Sequence, residues 1–241
     1  MADDRFRGTD MTPPTGSSRE VGREWPAWVI LVALWAFSLW AMGRLPQRVP
    51  MHWDFRGQVN GWGSPLAAAL VLPGIATAAY GFILALDWGR LDFSAARGMS
   101  PSTTRQVRIL MLLMMGILHG AILWRAMHGG VASPSGILLV LSLFFIALGN
   151  LMPRLEPNAW VGIRIPPTLE DRDIWKATHR RTGPWVVAAG LAGLPLALLP
   201  PALANVLLLP LILLPLLGGV VYAYVLRHQR ALSRIQDSED R

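Results

Sequence analysis

Six apolar runs, none with an Asp, Glu, Lys or Arg in its interior, are what most narrows the structures open to this chain. They lie at roughly residues 26–43, 65–86, 107–127, 133–150, 184–200 and 203–226. A helix needs about 20 apolar residues to cross the hydrocarbon of a bilayer, with a range of about 17–25. No water is present there to satisfy backbone polar groups, so such a run closes its hydrogen bonds internally as a helix. The expected fold class is therefore an all-α membrane protein, a bundle of six transmembrane helices. Asp87, Arg108 and Arg125 stand at the ends of runs. Trp25, Trp28, Trp88, Trp124, Trp160 and Trp185 lie at or near the proposed boundaries, where an indole prefers to sit. Pro200-Pro201 leaves almost no loop between the last two runs, which should form a tight helical hairpin kinked at Pro195, Pro210 and Pro215.

Composition points the same way, with 53% hydrophobic and only 15% charged residues. The chain has no cysteine, which excludes disulfides and thiolate metal sites. A pI near 11.1 would suggest nucleic acid in a soluble domain. Here the arginines flank apolar runs, so the charge reads as membrane orientation, and no direct nucleic-acid partner is expected. With the N-terminus inside, 18 of the 22 basic residues fall on the inner side, leaving Arg44, Arg48, Arg56 and Arg125 outside. That bias predicts a multi-pass protein of the cell membrane with both termini cytoplasmic. No convincing cleavable signal precedes the first run.

The expected organisation follows from these boundaries. Residues 1–24 form a disordered cytoplasmic tail containing Pro13-Pro14 and Gly16-Ser17-Ser18. Residues 25–106 make a two-helix membrane unit with an outer loop at 44–64. Residues 107–227 make a four-helix unit with a structured cytoplasmic loop at 151–183, and 228–241 form a second cytoplasmic tail.

Two polar islands interrupt the apolar pattern. In the outer loop, Val49, Met51, Trp53 and Phe55 alternate with Pro50, His52, Asp54 and Arg56, the period-two signature of a short strand with one apolar face. Gly57 supplies a turn and Asn60-Gly61 a second turn signal, so the loop reads as a short extracellular hairpin or cap after the first helix. His52 and Asp54 with Asn60 fall short of the three or four ligands a zinc site needs, and no metal or other cofactor is expected. Asp54 and Asn60 can bond turn backbone; alternatively the loop is a cap that meets an extracellular ligand. In that case the Met, Trp and Phe face is anchored, His52, Asp54 and Arg56 lie together on the opposite face, and Pro50, Trp53, Gly57, Asn60, Gly61 and Trp62 complete the surface.

The inner island, residues 149–183, places Thr168 ahead of Glu170 and Asp171, as at a helix N-terminus. Arg180 and Arg181 then suit that helix's end, and Gly183-Pro184 interrupts before the fifth span. Arg164, between Gly162 and Pro166, sits in a constrained extended stretch; it can bond helix-end carbonyls or lipid phosphates, or recognise a partner. His179 reads as bonded to backbone. Deep in the third run, His119 is the one ionisable side chain within a span, a functional candidate by default. It lies inside Gly116-x-x-x-Gly120, a spacing that lets helices approach closely, which favours a packing role.

Both islands carry a resemblance. Pro46, Pro50, His52, Gly57 and Gly63 match the first outward loop of the SdpI-like family of bacterial membrane proteins, in a stretch that the family treats as an uncharacterised N-terminal domain. Gly149, Asn150, Pro153, Asn158, Gly162, Ile163, Arg164, Pro166, Thr168, Leu169, Trp175, Thr178, His179 and Gly183 follow the family's inner motif in order. Pro167 departs from it, standing where family members commonly have Trp. The resemblance implies a membrane immunity or signalling protein. Such a protein meets a secreted, membrane-active peptide toxin outside and engages a transcriptional repressor inside. A secondary transporter and a membrane enzyme are the alternatives. Against the first, the spans hold no acidic residue for a coupling ion. Against the second, inner His179 and outer His52 cannot meet, and no nucleophile–base pair or catalytic constellation can be placed on one helix face.

Overall fold

In the computed structural model of the protein, residues 24–54, 56–87, 101–130, 134–158 and 161–239 are described. Helix α1 spans Trp25–Met42, and a hairpin follows with β1 at Val49–Trp53 and β2 at Val59–Gly63. Next come α2 at Pro65–Asp87, α3 at Pro101–Met127 and α4 at Pro134–Leu151. A 3-10 turn at Met152–Arg154 and a short helix, α5 at Pro166–Glu170, lead to α6 at Arg172–Leu196 and α7 at Pro201–Glu239. Proline opens α2, α3, α4, α5 and α7, at a position where its missing N–H would have no intrahelical partner anyway.

Among the described residues, α1, α2, α3, α4 and α7 are the helices long and apolar enough to cross a membrane, and the protein is a multi-pass helical membrane protein. Large apolar side chains face outward, Val32 being 68% and Leu214 65% exposed, as a surface meeting lipid requires. Helix α6 is different: its first half, from Arg172 to Thr182, is polar, and only its second half is apolar. Gly183-Pro184 does not interrupt it, contrary to expectation, so Arg180 and Arg181 lie within the helix rather than at its end. The reason is that Gly183 serves contact. A Cβ on Gly183 would come within 2.7 Å of the Gly149 carbonyl oxygen, and one on Gly149 within 2.7 Å of the Gly183 carbonyl. Gly190 meets the Ser142 carbonyl in the same way at 2.8 Å, so α4 and α6 pack backbone to backbone. Gly116 and Gly120 do not play this part. Nothing lies within 4 Å of where their Cβ atoms would be, and they line an apolar groove between α1 and α3.

Helices α1, α2 and α3 share a core of Ala27, Leu34, Ala76, Tyr80, Leu84 and Leu112. Near the other end of α3, Leu123 and Ala126 join Ala41 and Ala68 around Val49, the root of the hairpin. A second core, formed by Met152, Leu155, Ile163, Trp175 and Val186, joins the inner loop to α6, and Val107 of α3 packs against it. Val107 and Leu123 are separated by about 24 Å of helix at 1.5 Å per residue. The two polar islands therefore sit at opposite ends of α3, roughly a hydrocarbon thickness apart. Helix α7 extends to Glu239, so most of the expected second tail is helical.

Candidate functional site

The hairpin strands pair antiparallel, with Val49 opposite Gly63, Pro50 opposite Trp62, His52 opposite Gly61 and Trp53 opposite Val59. Asp54 organises the bend. Its Oδ1 accepts from the backbone N–H groups of Arg56 and Gln58, each at 2.8 Å, and Gly57 takes φ +79°, which suits glycine. Asn60-Gly61 is not a second turn but lies inside β2. Asn60 Oδ1 accepts from His52 Nδ1 at 2.5 Å, and Gly61 allows the strands to approach closely, since a Cβ there would be 2.7 Å from His52 Cβ. The expected alternation also fails. Val49 and Pro50 are buried, Met51 and His52 are exposed, and Trp53 is intermediate. Register shifts on either side of His52 break the period of two, so the hairpin is anchored by its root rather than by one face. Phe55 lies outside the described residues. The exposed rim holds His52, Arg56 and Trp62, with the Arg48 guanidinium 5.6 Å from the Trp62 ring centroid.

The inner loop is built around two buried aromatic rings. Trp175 Nε1 donates to the Leu155 carbonyl at 2.7 Å, and the indole stacks on His179 with centroids 4.2 Å apart. His179 Nδ1 donates to the Trp175 carbonyl at 2.9 Å, which leaves Nε2 to accept the Ile163 N–H at 2.9 Å. Both ring nitrogens are thus satisfied in the neutral form, and burial pushes the imidazole below its ordinary pKa. Gly162 has φ +121°, and a Cβ there would collide with His179 Nε2. Asn158 Nδ2 donates to the carbonyls of Glu156 and Val161, while its Oδ1 accepts the Val161 N–H at 2.8 Å. Thr168 Oγ1 donates to the Ile163 carbonyl at 2.7 Å and accepts the Ile165 N–H at 3.1 Å.

Thr168 is therefore not the cap of the long helix; it lies inside α5. Asp171 caps α6, its Oδ1 accepting from Asp173 N at 2.9 Å and Ile174 N at 3.1 Å. The other oxygen of Asp171 pairs with Arg230 of α7, which holds its carboxyl below the usual range. Arg227 pairs with Glu170 at 3.1 Å, so the C-terminal part of α7 is tied to the inner loop. The acid-rich run 170–173 facing an arginine-rich helix was the legible signal for this pairing, and a sequence reading centred on Thr168 missed it.

Asn158, Gly162, Thr168, Trp175 and His179 thus form one hydrogen-bonded frame. Thr178 is buried beside it, whereas Asn150 and Pro166 are exposed. Arg164 stands outside the frame, exposed, beside a cavity of about 380 Å³ whose wall includes Leu213, Leu216 and Val220 of α7.

A third polar network lies within the helices. Glu24 and Arg108 form an ion pair at 2.5 Å with side chains 5% and 2% exposed, and Tyr80 donates to the second oxygen of Glu24 at 3.2 Å. Glu24, expected in a disordered tail, is instead fixed at the start of α1. Further along, Pro73 leaves the Ala69 carbonyl without its helical donor. Ser38 of α1 supplies that donor, and His119 bonds the Ser38 oxygen at 2.8 Å through Nε2. Because the serine proton points to Ala69, His119 Nε2 must be the donor in this pair. Among the described residues, no group of three or more His, Asp or Glu is placed to hold a metal ion.

Residues 154–225 match the SdpI/YfhL protein family, and residues 29–77 match a domain of unknown function, DUF1648. No curated protein and no solved structure matches the chain.

Proposed function

Because the chain is an SdpI-like protein with a DUF1648 domain ahead of the SdpI/YfhL segment, we propose that it is a membrane immunity and signalling protein. In this reading it crosses the membrane six times with both termini in the cytoplasm. The hairpin rim meets a membrane-active peptide outside, and the inner loop passes the state of the bundle to a cytoplasmic regulator. The observation that carries the proposal is the contrast within the inner motif. A frame built on Asn158, Gly162, Thr168, Trp175 and His179 immobilises the loop, yet Arg164 is left exposed with an apolar cavity beside it. A guanidinium held this way is preorganised to fork onto a carboxylate of a partner.

On the outer side, the rim offers Trp62 and His52 for contact, whereas Asp54 Oδ1 is engaged by the turn. The proposed peptide contact therefore rests on His52, Trp53, Trp62 and the free oxygen of Asp54. Pro50, Gly57, Asn60 and Gly61 shape the surface rather than touch the ligand. Survival of cells producing the protein, challenged with a hydrophobic cationic peptide toxin, tests the reading. Protection that is lost in Arg164→Ala and in His52→Ala, with normal membrane insertion, supports it. Equal survival of producing and non-producing cells across a panel of such peptides overturns it.

A further inference from the structure

We infer that the groove between α6 and α7 is a binding site for one anionic phospholipid, in the leaflet on the inner loop's side. The groove encloses about 660 Å³. Along α6 its wall runs from Arg181 through Trp185 and Ala188 to Ala192, positions that recur on one helical face. Along α7 it runs from Tyr222 back to Leu211, so the two walls are antiparallel and of equal length. At 1.5 Å per residue each wall is about 16 Å long, close to half of a hydrocarbon core of about 30 Å. That is the depth of one leaflet.

The two ends differ in chemistry. Arg181, Trp185 and Tyr222 gather at the end nearer the inner loop, while the remainder is lined by Ala, Leu, Pro and Gly. The hollow exists because Ala188, Ala192 and Gly218 leave space; nothing lies within 4 Å of where a Gly218 Cβ would be. Arg181 is exposed, and no carboxylate among the described residues pairs with it, whereas Arg172, Arg227 and Arg230 are all paired. Thr182, 2% exposed, lies in the groove wall with its hydroxyl lacking a hydrogen-bond partner. An apolar slot one leaflet deep, with aromatic residues and a free guanidinium at its mouth, complements an acyl chain topped by a phosphate. The inference does not depend on the proposed immunity role or on which compartment the inner loop faces.

Native mass spectrometry of the full chain, exchanged against phosphatidylglycerol or phosphatidylcholine of identical chains, tests it. The expected result is one preferentially retained phosphatidylglycerol per chain. Arg181→Gln should lower its affinity roughly tenfold, the loss of a charge-assisted hydrogen bond, while Arg180→Gln leaves it unchanged. Gly218→Leu, which fills the slot, should reduce retention of both lipids. Equal retention of the two lipids by the unmodified protein overturns the inference, as does an equal loss in Arg180→Gln. Unmodified protein that is dimeric in detergent, with a Gly218→Leu variant that retains lipid but is monomeric, would assign the groove to a second copy instead. Protection assays on the same variants keep this result separate from the functional proposal.

Discussion

Arg108 and Glu24 lie 2.5 Å apart in a buried ion pair that joins the start of α1 to α3. Removing one partner leaves the other charge in a low-dielectric setting, whereas replacing both with apolar groups does not. Glu24→Ala is therefore expected to destabilise the protein by about 3 kcal/mol. In a chain of this size that lowers Tm by about 6–12 °C in detergent. The double variant Glu24→Leu/Arg108→Met should recover most of the loss. A single variant that melts like the parent would show that the pair contributes nothing.

Pro73, Ser38 and His119 make a second coupled set. Ser38→Ala leaves the Ala69 carbonyl and the His119 N–H unpaired, which should cost about 1–3 kcal/mol. Pro73→Ala restores a backbone donor to Ala69, so Ser38→Ala should cost clearly less in that background. A double-mutant cycle on thermal unfolding reads the coupling, and strict additivity would refute it. His119→Ala is expected to lower stability in detergent more than protection.

His179 makes stability depend on pH. Burial lowers its folded-state pKa below the ordinary 6.5, so the unfolded chain binds the proton more readily. The stability from the neutral, doubly bonded ring is complete above the unfolded value. It is lost as pH falls from there towards the folded value. Unfolding temperatures measured between about pH 5 and 8 should fall on the acid side, and His179→Asn should flatten that slope. An unchanged slope in the variant would assign the effect to another group.

Arg164 and Gly162 are two residues apart and should fail in different ways. Gly162→Ala places a methyl against His179 Nε2 at a backbone angle unsuited to alanine, so folding yield and stability should drop. Arg164→Ala should change stability by no more than about 0.5 kcal/mol while abolishing protection. Arg164→Lys should fail nearly as badly, because an ammonium cannot reproduce a planar fork. Full protection in both Arg164 variants would reduce the residue to a topological charge.

Topology is checked directly by reporter fusions. Fusions at Glu170 should report cytoplasm, and those at Gln58 and Ser135 the exterior. An exterior signal at Glu170 would reverse the orientation inferred from the arginine distribution.

Much of the architecture was legible in one dimension because the bilayer makes it so. Long runs without charge must be helices, and the helices found at 25–42, 65–87, 101–127, 134–151 and 201–239 overlap the expected runs. The family motifs were legible too, as residue types at fixed spacing. What those residues do was not. Asn60-Gly61 carries a turn signal, yet cross-strand pairing with His52 places it in β2. Gly116-x-x-x-Gly120 and Gly183 look alike as small-residue signals, but only Gly183 meets a neighbouring backbone.

The sequence by itself determined which long apolar segments are helical, since that depends on local hydropathy summed over about 20 residues. Tertiary structure alone decided which polar side chains are engaged and which remain free. Glu24 finds Arg108 across 84 positions, Asp171 finds Arg230 across 59, and Ser38 finds the carbonyl that Pro73 released. Each of these pairings exists because a buried polar group must be satisfied by whatever the packing brings near. That requirement acts through distance in space, and spacing along the chain does not record it.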